Sequence, residues 1–299
     1  MLAVLAGAIY LVAKNYSGFK SAVSTIGLGA IVLSLVLAVA GTAAIAQIWT
    51  SVLRGLGASV SNSEASGVFF ISQLGKYLPG SVWPVIAQME FGRRIGTPRR
   101  TMLAANLLML AVVTATGLIT GAALLPWSSP DGLHRYWWTL LLLVPLLISL
   151  HPRVIPAVLD RLFLLARRPA LGLRVSNRGM LLACLWGFAV WALLGAHLLV
   201  MTRALGAGGG SSVAAAVGGM GLAFAVGLIV IPVPAGAGIR DAVLVATFGS
   251  QIGHTPAIAV ALASRVLLVL ADVGLAGAGV LLSRQGVRRR AATAVPAER

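Results

Sequence analysis

Long apolar runs alternate with short polar, arginine-rich segments along the whole chain. Ser21–Thr50, Thr101–Leu125, Gly179–Thr202, Ser212–Ile231 and Pro256–Leu282 approach or exceed the roughly 20 residues that a helix needs to cross a bilayer. Trp137–Leu150 and Ile239–Phe248 are apolar but short, and Met1–Ala13 reads as a tilted or truncated first helix whose true start lies upstream. The runs are too long for the alternating strands of a transmembrane barrel. The pattern predicts an all-α, polytopic integral membrane protein with about seven or eight membrane helices.

Two of the apolar segments are interrupted. In Val230–Ala242, Pro232 and Pro234 each remove a backbone donor, and Gly236 and Gly238 permit angles that other residues avoid. The helix entering from Ser212 is expected to stop there and a new one to begin near Ile239. Val68–Glu90 is broken in the same way at Pro79-Gly80, and Pro84 suits the first turn of the helix that follows. Both stretches are predicted to be broken or re-entrant membrane helices. Irregular backbone at membrane depth survives only when buried in protein or lining a wet cavity. Pro79 and Pro234 stand 155 residues apart, about half the chain, which suggests two halves, 1–150 and 151–290, of a single transmembrane domain followed by a disordered cytoplasmic tail, 291–299.

Composition agrees with the pattern. Hydrophobic residues make up 59% and charged residues only 10%, against about 25% in soluble domains. The formal net charge of +16 does not indicate nucleic acid here, because the arginines lie between apolar runs, where the positive-inside bias places them. On that rule Lys14 and Lys20, the loop Arg93–Arg100, the segment His151–Arg178 and the tail after Arg284 are cytoplasmic. Trp127–Arg135, flanked by Tyr136, Trp137 and Trp138, is outside. Trp49 is expected at the outer interface with Arg54 just beyond it, and Asn62 or Ser63 as a helix cap. Ile155, Val158, Leu159, Leu162 and Phe163 recur at helical spacing and read as an amphipathic helix on the inner surface, with affinity for anionic headgroups. Richness in Ala, Gly and Arg suggests a GC-rich bacterial genome, and hence a multi-pass protein of a bacterial inner membrane. The single cysteine, Cys184, excludes an intramolecular disulfide.

Gly75-Lys-Tyr-Leu-Pro-Gly-Ser-Val-Trp83 and Pro234-Ala-Gly-Ala-Gly-Ile-Arg-Asp241 resemble two signature stretches of the lysylphosphatidylglycerol synthase transmembrane-region family. The second stretch commonly reads Pro-Gly-Gly-x-Gly-x-Arg-Glu, so Ala235 and Asp241 are departures, and Ala235 narrows the allowed backbone. The resemblance runs over nearly the whole chain in segment order. It implies a stand-alone member without the aminoacyl-transferase domain, and a role in lipid flipping or as a partner of lipid-linked glycosylation.

The candidate chemistry sits at the breaks. Charges at membrane depth are costly and mark function by default. Lys76 and Arg240 flank the breaks and supply the positive groups that a phosphate needs, and Arg265 could reach the same cavity. Glu90, Asp241 and Asp272 could balance them or carry protons. With Tyr77, Pro79, Gly80, Pro234, Gly236 and Gly238, these residues form the candidate substrate site. Arg265 and Asp272 share a helix face but lie about 10 Å apart along the axis, so each needs a partner on another helix. His134, His151, His197 and His254 form no metal-ligand spacing, and no P-loop or dinucleotide fingerprint is present, so neither metal nor cofactor is expected. The expected function is translocation of an anionic phospholipid or a polyprenyl-phosphate-linked lipid, not an enzymatic one. The alternatives are an accessory subunit or scaffold of a membrane glycosyltransferase or other lipid-modifying enzyme, an intramembrane enzyme using Glu90 or Asp241, and an ion-pair network that only holds helices together.

Overall fold

The computed structural model describes residues 16–77, 83–94, 96–172, 174–229 and 238–293, and every regular element among them is helical. The first half holds α1 (Tyr16–Gly55), α2 (Asn62–Gln73), a 3-10 turn (Leu74–Tyr77), α3 (Trp83–Arg94), α4 (Arg99–Leu124) and a second 3-10 turn (Leu125–Trp127). Then come α5 (Gly132–Leu141), α6 (Leu143–Ser149) and α7 (Val154–Leu165). The second half holds α8 (Asn177–Ala204), α9 (Gly209–Ile229), α10 (Ile239–Ile252) and α11 (His254–Thr293). Among the described residues α1, α4, α8, α9 and α11 are each long and apolar enough to cross a membrane. Tyr136–Ser149 and α7 count as a sixth when the pair is taken as one broken span; the 84° bend between them lays α7 across the line of the helix before it. Five or six spans, with three shorter membrane helices beside them, confirm the all-α polytopic architecture.

Small residues set the packing. Lipid tails are as apolar as leucine, so helices associate in a bilayer by close contact rather than by hydrophobic exclusion. A side chain at Gly117 would meet the Gly221 carbonyl at 2.8 Å, which brings α4 and α9 together backbone to backbone. A side chain at Gly179 would stand 2.5 Å from the Gly55 Cα, which seats α8 against α1. Gly67 and Gly279 do the same for α2 and α11. Within α1, Gly27 takes φ 75°, an angle open to glycine, and kinks the helix there.

These contacts assign each loop to a face. The Ser176 amide donates to the Gly55 carbonyl at 2.9 Å, and Arg100 donates to the Ala170 carbonyl. The turns after α1, before α4 and before α8 therefore share one face, the basic one. On the other, Gln251 donates to the carbonyls of Ser128 at 2.9 Å and Ser211 at 3.4 Å. The polarity expected of α1 is reversed: its end at Gly55 lies on the basic face, so Lys20 lies on the opposite one. The two lysines do not set its polarity, because α1 runs antiparallel to α8 and α8 starts at the basic face. Trp49 is not interfacial either; it is fully buried and packs on Phe69, with ring centroids 5.7 Å apart. The cap of α2 is Ser61, one residue before the expected pair. Its hydroxyl accepts from the Glu64 amide, and the Glu64 carboxylate accepts from the Ser61 amide.

The two interrupted segments double back. A side chain at Gly75 would meet Trp83 Cβ at 2.9 Å, so α2 and α3 form a hairpin whose two ends both lie on the basic face. Between them, Gln88 of α3 donates to the Ser72 hydroxyl of α2 at 2.7 Å. The loop after α1 and the loop before α4 are therefore on the same side, and Val68–Glu90 is re-entrant rather than a crossing. In the second hairpin, a side chain at Gly219 of α9 would meet Thr247 Cγ2 of α10 at 2.8 Å, and α10, at 14 residues, rises only about 21 Å. It returns to the face from which α9 started. The two hairpins enter from opposite faces. Residues 78–82 and 230–237, which hold the expected breaks at Pro79-Gly80 and Pro232–Ala237, lie outside the described residues.

One polar cluster sits inside the bundle. His197 of α8 is fully buried. Its Nδ1 lies 3.0 Å from the Ser34 carbonyl of α1, and its Nε2 lies 2.9 Å from the Ser264 hydroxyl of α11. The Ser34 hydroxyl donates back to the His197 carbonyl at 2.9 Å. A neutral ring with the proton on Nδ1 satisfies every one of these groups. It donates to Ser34 and accepts from Ser264, tying α1, α8 and α11 together.

Two outcomes are expected. His197→Ala leaves the Ser264 hydroxyl without its partner and should lower stability by about 1–2 kcal/mol, read as a lower unfolding temperature in detergent; an unchanged temperature would show the cluster to be idle. In a Cys184→Ser background, cysteines at Ser59 and Arg167 should be protected from an impermeant reagent in intact cells, and one at Gly208 should be labelled. Labelling at Ser59 alone would restore the crossing that the hairpin replaces.

Candidate functional site

The last helix collects the charges. α11 is antiparallel to α2, and it carries Arg265 and Asp272 two turns apart on one face. Asp272 is only 4% exposed. Its Oδ2 takes two donors from the tip of the first hairpin: Lys76 Nζ at 2.7 Å and the Tyr77 hydroxyl. Both donors stand at the end of the first arm of the hairpin, where α2 has tightened into a 3-10 turn. The ammonium also lies 5.4 Å from the Tyr77 ring centroid. The other carboxylate oxygen, Oδ1, is buried and has no partner among the described residues.

The second hairpin repeats the device with the signs exchanged. Here the tip brings the acid and α11 brings the cation. Gly238 takes φ 83°, a left-handed angle, and forms the N-cap of α10. Asp241, three residues on, accepts from the Gly238 amide at 3.1 Å and from Arg265 Nη2 at 2.5 Å, through the same oxygen. Arg265 and Asp241 are mostly buried. A carboxylate in the first turn also meets the positive end of the helix dipole. Arg265 and Asp272, being on one helix, thus each find a partner on another, as their separation requires.

Arg240 stands apart from these pairs. Adjacent residues on a helix point about 100° apart, so with Asp241 turned to α11 its neighbour must face elsewhere. It faces α9, where Nη2 lies 3.9 Å from the sulfur of Met220. Its Nε is buried with no acceptor, and among the described residues no carboxylate bridges to it. Summed over Lys76, Arg240, Asp241, Arg265 and Asp272, one positive charge is left over, and it is the one on Arg240.

The other expected members of the site fall in different places. Glu90 is half-exposed and pairs with Arg99 of α4 at 3.5 Å. It is two residues from the buried Gln88, about 200° around the helix, and so it faces away from the hairpin interior. Pro79, Gly80, Pro234 and Gly236 lie outside the described residues. The structure brings Lys76, Tyr77, Gly238, Asp241, Arg265 and Asp272 onto one line along α11, with Arg240 beside it. Sequence reasoning assigned no role to Ser34 and Ser264, which are one hydroxyl among many in apolar runs, nor to Met220. A lone histidine in an apolar span was a legible signal for His197, but its partners were not.

No curated protein matches the chain. Residues 1–276, nearly the whole length, match the family described as the lysylphosphatidylglycerol synthase TM region, and the chain belongs to that family.

Proposed function

We propose that the protein carries a phosphate-bearing membrane lipid between leaflets, either a phospholipid or a polyprenyl-phosphate-linked lipid, and that Arg240 takes the phosphate. The observation behind this is the unneutralised guanidinium in the first turn of α10. A part-buried charge with no carboxylate partner is destabilising, so a fold that retains one has a reason outside itself. A phosphate suits this place. Guanidinium binds it bidentately, and the start of α10 adds roughly half a positive charge. Two hairpins entering from opposite faces bring the site to the middle of the molecule, the arrangement from which alternating-access carriers are built.

This reading makes the chain a carrier rather than an enzyme, since both buried carboxylates are already engaged by cations. It places the protein in a bacterial inner membrane with the basic face toward the cytoplasm. The reading in which the charges only join helices has support of its own in the two ion pairs. It accounts for Lys76, Asp241, Arg265 and Asp272 and leaves Arg240 without a purpose.

Purified protein in liposomes carrying a fluorescent phosphatidylglycerol tests the proposal. A charged hydrogen bond is worth about 1.5–3 kcal/mol, so Arg240→Ala should slow transfer by about tenfold or more. Arg240→Lys should fall between, because it keeps the charge and loses the fork. Neither should shift the unfolding temperature downward. Transfer by Arg240→Ala at the unsubstituted rate returns the charges to a structural role. No transfer by the unsubstituted protein would favour a scaffold for a membrane glycosyltransferase.

A further inference from the structure

The two ion pairs are built alike but are not equally closed. Asp241 is held by the backbone amide of its own hairpin as well as by Arg265, and both side chains are mostly buried. Lys76, in contrast, is 33% exposed while its partner Asp272 is 4% exposed. Of the cations that pair with an aspartate, Lys76 is the one with space around it. It is also a point charge on a flexible stem, able to swing between acceptors in a way that a guanidinium fork is not.

The acceptor it holds is doubly served. The Tyr77 hydroxyl donates to the same Oδ2 from the adjacent residue. If Lys76 swings away, Asp272 keeps that hydrogen bond and is not left bare. The other carboxylate oxygen, Oδ1, is buried and has no partner among the described residues.

We propose that Asp272 is an internal anion that occupies Lys76 until an anionic headgroup replaces it, which makes Lys76 the second cation of the headgroup site and Asp272 the residue that returns the headgroup. This rests on the reading of Arg240 above and extends it. Loading exchanges the Lys76–Asp272 pair for a Lys76–phosphate pair. Unloading reverses the exchange, so the carboxylate keeps binding from becoming too tight for release. The first hairpin stays seated on α11 during the exchange, through the Tyr77–Asp272 hydrogen bond and the close approach of Gly67 and Gly279.

The test is a double-substitution cycle read by binding. Short-chain phosphatidylglycerol is titrated into the detergent-solubilised full chain, with short-chain phosphatidylcholine and glycerol phosphate in parallel. Asp272→Asn removes the competitor, and coupling of this kind commonly amounts to 5–150-fold, so phosphatidylglycerol should bind about tenfold more tightly. Lys76→Gln should bind about tenfold more weakly, and Asp272→Asn should add nothing in the Lys76→Gln background. Transfer by Asp272→Asn in liposomes should slow although binding tightens, a combination that loss of a merely structural contact does not produce.

Unchanged affinity in folded Asp272→Asn overturns the exchange. Should that variant fail to fold, Lys76→Gln decides alone, and unchanged affinity there overturns it equally. Binding that is lost in Arg240→Ala but indifferent to Lys76 and Asp272 keeps the Arg240 reading and rejects this one. If glycerol phosphate binds as tightly as phosphatidylglycerol with the same cycle, the exchange stands and the ligand is a soluble phosphate. No binding of either phosphate by the unsubstituted protein removes both readings.

Discussion

Two opposite charges on one face of α11, about 10 Å apart, are the constraint to which the rest of the bundle answers. An aspartate or arginine at the centre of a lone membrane helix is unfavourable by about 2.5–3.5 kcal/mol on insertion scales, so α11 is a poor membrane helix by itself at these two positions. It becomes a good one when Lys76 and Tyr77 meet Asp272 and Asp241 meets Arg265. The hairpins are the delivery of those partners to the right depth. A straight crossing helix would carry its charged residue past α11 once; a segment that turns back places its tip, with a free helix end and its dipole, at mid-depth. The reversal of sign between the two pairs follows from the signs on α11 and not from the hairpins.

The same helix receives the third polar contact, Ser264 to His197, one residue before Arg265. That contact reaches through α8 to Ser34 of α1, the described helix that precedes the first hairpin. α1, α8 and α11 therefore form a frame held by a fully satisfied neutral cluster, whereas the hairpin tips are held by charges with unused capacity: one carboxylate oxygen of Asp272 and the Nε of Arg240. Buried networks that are completely satisfied rigidify, and partly satisfied ones leave bonding capacity for something else.

Glycine serves both parts differently. At Gly117, Gly179 and Gly67 it lets neighbouring helices touch along their backbones, and any side chain there would force them apart. At Gly238 it supplies the left-handed angle that starts α10 and points the amide at Asp241. A chain with 35 glycines reads as permissive, yet these few positions are among its most constrained.

What the sequence determined by itself is whatever depends on spacing along one chain. Apolar length decided the crossing helices, because a bilayer imposes its thickness on each one separately. Proline and glycine decided where α9 had to end and that α10 begins at Ile239, because the backbone cannot continue through them. The seven-residue step from Arg265 to Asp272 showed that each needed a partner elsewhere. Tertiary structure alone decided the direction in which the chain leaves a break, since Pro79-Gly80 is compatible with a kinked crossing or a return and it is the packing of α3 back against α2 that makes the return. That choice moved the loop after α1 to the basic face and inverted α1, which two lysines had placed the other way. It also turned Glu90 out toward Arg99 while Asp272 went in, although both are acids in apolar surroundings, because rotation about a helix axis is fixed by the neighbours it packs against and not by the residue's own chemistry.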